Sequence, residues 1–133
     1  EVGGRVHEAC RSLPLAGDGR MSPQEWLRTP EGTVLKRDAT GSDCDHSWAG
    51  PQSVLWDVAG AAVDWVMDGA MRAAWLAAIA AEGLQVDPLA LAFHEAGYCC
   101  LGLARCRAAG EVADGLRYEH ALAAALTQLT RLA

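Results

Sequence analysis

Three acidic residues early in the chain have the types and the spacing that phosphoryl-transfer chemistry needs. Asp18 lies between two glycines, Glu25 follows seven residues later, and Asp38 comes directly after Lys36 and Arg37. Phosphoryl transfer needs a carboxylate to orient the acceptor hydroxyl and oxygen ligands for a divalent cation that neutralises phosphate charge. If Glu25 and Asp38 lie side by side, their like charges repel, and a cation between them relieves that repulsion. The three carboxylates therefore predict a metal-assisted phosphoryl-transfer site.

The sequence between the second and third carboxylates predicts a β-hairpin. Short strands are expected at Trp26–Arg28 and Thr33–Arg37, around a turn that contains Pro30 and Gly32. Either residues 30–32 form a three-residue loop with a left-handed Gly32, or a two-residue turn shifts the strand register by one. In both cases we expect the two carboxylates to be neighbours at the open end of the hairpin.

The rest of the chain predicts helices. Residue types that favour helix ends mark most of their boundaries: Ser53 and Asp87 are expected as N-caps, and Gly83 and Gly110 as C-terminal stops. We expect a mainly α fold with a small β-hairpin, organised as a single domain over residues 1–133. The expected helices are Val2–Ser12, Ser53–Met67, a helix from near Gly69 to Glu82, Asp87–Ala109 and Glu111–Leu132.

Composition and charge exclude several classes of function. The net charge of −6 argues against nucleic acid as a partner, because phosphate backbones are bound by basic surfaces. The five cysteines are odd in number and form no CxxC pair, so we expect no disulfide framework and a reducing, cytoplasmic location. Charged residues interrupt the apolar runs 59–81 and 89–104, which makes buried or amphipathic helices the expectation rather than membrane spans. The five tryptophans are expected to lie mostly in the core.

The order of these residues resembles the aminoglycoside phosphotransferase and choline kinase group, which has the protein-kinase-like fold. The resemblance consists of Asp18 on a glycine-containing loop, a residue opening a hairpin, an Asp closing it, and the segment GPQSVLWDVAG at residues 50–60. That segment is similar to the family pattern Gly-Asp-Pro followed by Asp-Leu-Ala. The order of the helices after it also follows the C-terminal half of the family. The resemblance implies that the chain is the C-terminal helical lobe of such a protein.

The resemblance implies a role for each matched residue. Asp18 is the expected catalytic residue that accepts or orients the proton of the acceptor hydroxyl. Glu25 and Asp38 are the expected ligands of Mg²⁺ and, through it, of the phosphates of ATP or GTP. Asp57, on the helix after the hairpin, is expected to brace the backbone of the catalytic loop. Its alternative interpretation is a first-turn carboxylate that the helix dipole favours.

The resemblance covers only one lobe of a phosphotransferase. The chain has no Gly-rich phosphate loop and no strand lysine of the type that grips nucleotide phosphates. We therefore expect an N-terminal nucleotide lobe from the same or another chain, and a small molecule with a hydroxyl group as the substrate. Because the chain begins at Glu1 rather than Met, we also expect it to be part of a longer or processed protein.

Residues 39–52 are rich in turn formers and predict an irregular loop near the acceptor site. Asp43, Asp45 and Trp48 are candidate contacts for a polar or cationic substrate. The cluster Asp43-Cys44-Asp45-His46 lacks a complementary pair at metal-ligand spacing, so a dedicated transition-metal site is not expected.

Two other functions fit the sequence. Ala16 stands where the family has His, and Glu25 stands where it has Asn, which favours a non-catalytic kinase-like binding or scaffold domain. The remaining alternative is a plain helical interaction domain in which the hairpin motif occurs by chance. These alternatives differ in whether Glu25 and Asp38 share a metal and whether phosphate is transferred.

Overall fold

The computed structural model describes residues 2–11, 19–37 and 53–133. These ranges contain five α-helices, one short 3₁₀ turn and one two-stranded antiparallel sheet. The expected mainly α fold with a small hairpin is confirmed for the described residues. The elements are α1 (Val2–Arg11), the 3₁₀ turn Pro23–Glu25, β1 (Trp26–Arg28), β2 (Val34–Lys36), α2 (Val54–Asp64), α3 (Gly69–Ala81), α4 (Pro88–Ala109) and α5 (Val112–Leu132).

Three helices begin at side chains that cap their first turns. The hydroxyl of Ser53 accepts a hydrogen bond from the backbone of α2, and the carboxylates of Asp68 and Asp87 do the same for α3 and α4. These bonds satisfy backbone N–H groups that have no partner within the helix, and each contributes about 1 kcal/mol to stability. The N-caps predicted at Ser53 and Asp87 are confirmed.

The hairpin adopts the three-residue loop. Leu27 lies opposite Leu35 in the antiparallel register. The backbone N–H of Thr29 donates to the carbonyl of Thr33 at 2.9 Å, and Gly32 has a φ of +89°, the left-handed conformation that a glycine adopts without strain. The alternative two-residue turn is therefore wrong.

The core forms where α2 and α5 pack on α4. Its largest fully buried side chains are Leu55 of α2 and Cys99 of α4, while Cys100, the next residue, is exposed. Glu95 of α4 is buried although it is charged, and the guanidinium of Arg72 on α3 donates to its carboxylate. Burial of a charge is costly unless the charge is paired, so this contact explains how α4 accommodates a carboxylate at that depth.

The apolar helix α3 lies outside this core. Although its sequence GAMRAAWLAAIAA is almost entirely apolar, none of its residues is buried within the described structure, and Met71 is 48% exposed. Its 13 residues span about 20 Å, less than the roughly 30 Å of a bilayer core. Within the described ranges, no helix has both the length and the apolar character of a membrane span.

Candidate functional site

Glu25 lies at the open end of the hairpin, as the sequence predicts. The 3₁₀ turn, which has Pro23 at its start, ends at Glu25 and leads directly into β1. The carbonyl oxygen of Glu25 accepts a hydrogen bond from the backbone N–H of Arg37 at 2.7 Å. Arg37 is the residue before Asp38, and Asp38 itself is outside the described residues. The pairing of the two carboxylates therefore stays a prediction.

Asp57 holds the loop that enters the site. Its Oδ1 accepts a hydrogen bond from the backbone N–H of Gly19 at 2.7 Å, and Gly19 directly follows Asp18 in the chain. Because Ser53 caps α2, Asp57 falls in the first helical turn, where the helix dipole favours a carboxylate. Gly19 has a φ of +80°, so its backbone depends on glycine to present this N–H without strain. The contact is of the kind that the expected bracing role requires.

A polar cavity of about 440 Å³ lies between residues 19–25 and the helices α4 and α5. This volume is within the roughly 300–1,000 Å³ that is typical of small-molecule sites. Glu25 forms part of the cavity wall on the side of the hairpin. Charged side chains of both signs line it: Glu25, Asp64, Glu111 and Asp114, together with Arg20, Arg105 and Arg117. Such a lining suits a small polar molecule rather than an apolar one.

A buried carboxylate joins the helices at the base of this cavity. The side chain of Asp64 at the end of α2 is only 4% exposed. It accepts hydrogen bonds from the hydroxyls of Tyr98 on α4 at 2.6 Å and Tyr118 on α5 at 2.8 Å. The guanidinium of Arg117 lies 3.6 Å from the same carboxylate. The charge of Asp64 is therefore paired and hydrogen-bonded, as a buried carboxylate must be.

Both tyrosines of this cluster remain protonated over the ordinary pH range. Burial, followed by the hydrogen bond to Asp64, raises the pKa of Tyr118 to about 12. The same two causes, in the same order, raise the pKa of Tyr98 well above its usual value. Since both hydroxyls keep their protons, both remain hydrogen-bond donors to the carboxylate.

Two glycines make room for the tyrosine rings. A Cβ atom added at Gly60 of α2 would lie 2.7 Å from Cε2 of Tyr98. One added at Gly102 of α4 would lie 2.5 Å from Cε1 of Tyr118. Both distances are shorter than carbon atoms tolerate, so the close approach of the three helices depends on glycine at these two positions.

Of the seven site residues predicted from the sequence, two lie in the described ranges. Asp57 contacts the start of the loop at Gly19, and Glu25 is the residue at which the loop ends. Within residues 2–11, 19–37 and 53–133, no three acidic, histidine or cysteine side chains converge into a metal site. The other five predicted site residues lie outside the described ranges: Asp18, Asp38, Asp43, Asp45 and Trp48.

Sequence reasoning did not predict the contacts of Asp64 and Trp65 beside the cavity. Asp64 interrupts an apolar run, and a charge in such a context indicates a buried partner, but the sequence does not name that partner. Trp65 was expected in the core; that expectation is wrong, because the side chain is 42% exposed and its Nε1 donates to the carbonyl of Met21 at 2.7 Å. Its partner lies 44 residues away in the chain, which explains why no local pattern predicts the contact.

Family models, curated proteins and solved structures give no match to this chain. The resemblance to phosphotransferases therefore depends on the order of Asp18, Glu25, Asp38 and Asp57 in the sequence. Of these four residues, Glu25 and Asp57 are the two whose contacts the structure describes.

Proposed function

We propose that this chain is the helical C-terminal lobe of a phosphotransferase that uses Mg²⁺ and ATP or GTP and acts on a hydroxyl group of a small molecule. The observation that carries the proposal is the 2.7 Å hydrogen bond from the Gly19 backbone to Asp57. In the family that the chain resembles, a helix-borne aspartate braces the backbone of the catalytic loop. The same contact in this chain links α2 to the residue next to Asp18.

In this proposal each carboxylate has a separate role. Asp18 accepts or orients the proton of the acceptor hydroxyl, and Asp57 keeps the loop backbone in place. Glu25 and Asp38 are the residues that would hold Mg²⁺, which supplies neutralisation of phosphate charge when it is bound. The position of Glu25 beside Arg37 supports this assignment, because the chain continues from there directly into Asp38. The remaining contacts to the nucleotide come from an N-terminal lobe of the same or another chain.

The polar cavity supports a small polar acceptor. It borders both Gly19 and Glu25, so a molecule in it lies beside the loop from Asp18 to the proposed metal ligands. Four carboxylates and three guanidiniums line it, and this near balance favours a molecule whose charges are few or balanced. Binding between a preformed wall and two helices also restricts the orientation of the acceptor hydroxyl, which is a large part of what phosphoryl transfer requires.

Calorimetric titration of the natural protein that carries this chain tests the metal site. The Asp38→Asn variant is expected to weaken Mg²⁺-dependent binding of ATP or GTP at least tenfold. The matched control is Glu119→Gln, which removes an exposed carboxylate of α5 that pairs with Arg107 of α4 and does not line the cavity. Unchanged nucleotide binding in Asp38→Asn would contradict the assignment of the metal ligands.

A transfer assay separates an enzyme from a non-catalytic relative. The Asp18→Asn variant is expected to lose transfer to hydroxyl acceptors while it retains nucleotide binding. The substitution of Glu25 for the family's Asn adds a negative charge to the site, and this favours a binding or scaffold domain as the second candidate. Coupled binding of Mg²⁺ and nucleotide without transfer to any hydroxyl or amine acceptor would select that second candidate. Absence of both would select a plain helical interaction domain.

A further inference from the structure

Trp65 contacts the same loop as Asp57, but from the other end of α2. The indole Nε1–H of Trp65 donates to the carbonyl oxygen of Met21 at 2.7 Å, and Asp57 accepts from the N–H of Gly19. Arg20 alone separates the two residues whose backbones are held. One helix thus satisfies a backbone donor and a backbone acceptor of the same three-residue segment.

The end of α2 fixes the position of Trp65. The backbone N–H of Val66 donates to the carbonyl of Val63, and that of Met67 donates to the carbonyl of Ala62. This pair of bonds is a Schellman ending, which places the residue after the C-cap in the left-handed conformation. Val66 occupies that position with a φ of +49°, which is strained for a β-branched residue. The helix therefore ends immediately after Trp65 despite the strain.

The spacing of Asp57 and Trp65 along α2 allows both side chains to contact the same loop. Asp57 and Trp65 are eight residues apart, which corresponds to about 12 Å along a helix. Gly19 and Met21 are two residues apart in the chain, a separation of at most about 7 Å. Gly19 is left-handed and by itself has wide conformational freedom, and the hydrogen bonds at Gly19 and Met21 together restrict this freedom.

We propose that Trp65 is a positioning residue which, together with Asp57, fixes the backbone of Gly19–Met21, the segment of the chain that links the proposed catalytic residue Asp18 to the proposed metal ligand Glu25. Its effect on turnover rests on the proposed function, whereas its effect on the loop does not. The indole touches neither substrate nor metal in this role. It acts through the carbonyl of Met21.

Proteolysis of the Arg20–Met21 bond tests the effect on the loop. Arg20 is exposed, and trypsin cleaves after arginine only when the segment opens. The Trp65→Phe variant keeps an aromatic ring but has no N–H donor, and its cleavage at Arg20 is expected to be about fivefold faster, the factor for one ordinary hydrogen bond. Trp75→Phe on α3 is the matched control, because the Trp75 indole has no hydrogen-bond partner among the described residues. Equal cleavage rates in the two variants overturn the proposal.

A double variant shows whether the two anchors act on one segment. Asp57→Ala alone is also expected to accelerate cleavage at Arg20. If both residues hold the same backbone, the rate of the Trp65→Phe/Asp57→Ala variant differs from the product of the single effects, because contacts to one segment are coupled. A strictly multiplicative effect contradicts a shared segment. Thermal unfolding of each variant, followed by circular dichroism, shows whether global stability accounts for the rates.

Steady-state kinetics of the natural protein test the effect on turnover. Trp65→Phe is expected to lower kcat severalfold and to change the KM for nucleotide less, since the held segment Gly19–Met21 directly follows Asp18, whereas residues 22–24 separate it from Glu25. Faster cleavage with an unchanged kcat in an active enzyme overturns the positioning role. If the protein transfers no phosphate at all, the proposed function fails, and the cleavage rates still decide whether Trp65 holds the loop.

Discussion

The neighbouring helices α2 and α3 have similar apolar sequences but opposite environments. Seven residues of α2 are buried against the rest of the molecule, whereas α3 contributes no buried residue within the described structure. Both begin at a capping side chain, so local signals form both helices equally well. Their difference shows that apolar composition favours a helix, while packing on α4 decides whether that helix belongs to the core.

The same two helices also differ at their ends. Both end in Schellman hydrogen bonds, with Gly83 in the left-handed position after α3 and Val66 in that position after α2. Gly83 adopts this conformation without strain, but Val66 does not. The helix that contacts Gly19 and Met21 is thus the one with the less favourable ending.

The largest expected difference between the two helices is in the cost of losing a side chain. Leu55 of α2 is fully buried, so Leu55→Ala is expected to lower the free energy of unfolding by about 2–5 kcal/mol. Met71 of α3 is half exposed, so Met71→Ala is expected to cost less than about 1 kcal/mol. Urea denaturation measures both. Equal losses would mean that α3 is as well packed as α2.

A smaller difference is expected when a methyl group is added to a glycine of each helix. Gly60→Ala in α2 forces the ring of Tyr98 to move and is expected to destabilise the protein by about 1–3 kcal/mol. No atom lies within 4 Å of a Cβ added at Gly69 of α3, so Gly69→Ala is expected to be neutral or to stabilise by up to about 1 kcal/mol. Thermal unfolding midpoints should move in opposite directions, and a shared direction would contradict the close approach of α2 to Tyr98.

The two helix ends give a third comparison, on the order of 1 kcal/mol. Gly83→Ala places a side chain in a left-handed conformation and is expected to destabilise by about 1 kcal/mol. Val66→Gly removes the same kind of strain and is expected to stabilise slightly, because Val66 is largely exposed and loses little packing. Chemical denaturation midpoints distinguish the two signs. A destabilised Val66→Gly variant would indicate that the valine side chain itself is needed.

The last expected effect develops only at high pH and concerns the tyrosines that bind α2 to α4 and α5. An unfolded tyrosine has a pKa of about 10, and that of Tyr118 in the folded protein is about 12. Because the folded pKa is the higher one, this stabilisation is complete below about pH 10 and is lost as the pH rises towards 12. Tyr118→Phe should lose part of this pH dependence, measured as unfolding midpoints against pH. An identical profile in the variant would contradict the raised pKa.

Most helix bounds and the hairpin were predictable because their determinants are local, but the predicted end of the second helix at Met67 is wrong, because α2 ends at Asp64. Ser53, Asp87 and Gly110 act on the backbone within a few residues of themselves, and Gly32 selects the hairpin turn through its own φ angle. Such signals can be read from a short window of sequence.

The contacts that build the site could not be predicted in the same way. Asp64 meets Tyr98 and Tyr118 across 34 and 54 residues, and each contact depends on how three helices approach one another. The position of Glu25 at the hairpin end followed from local pairing, whereas the bond between Trp65 and Met21 depends on tertiary packing. The pairing of Glu25 with Asp38 stays a prediction.

The adjacent cysteines of α4 provide a built-in chemical reporter. Burial raises the pKa of the Cys99 thiol to about 12, so little thiolate forms there near neutral pH, whereas Cys100 faces outwards. A maleimide reagent should modify Cys100 and spare Cys99, which places a fluorophore two residues from Tyr98 without entering the core. Loosening of the junction of α2, α4 and α5 would then appear as faster alkylation of Cys99.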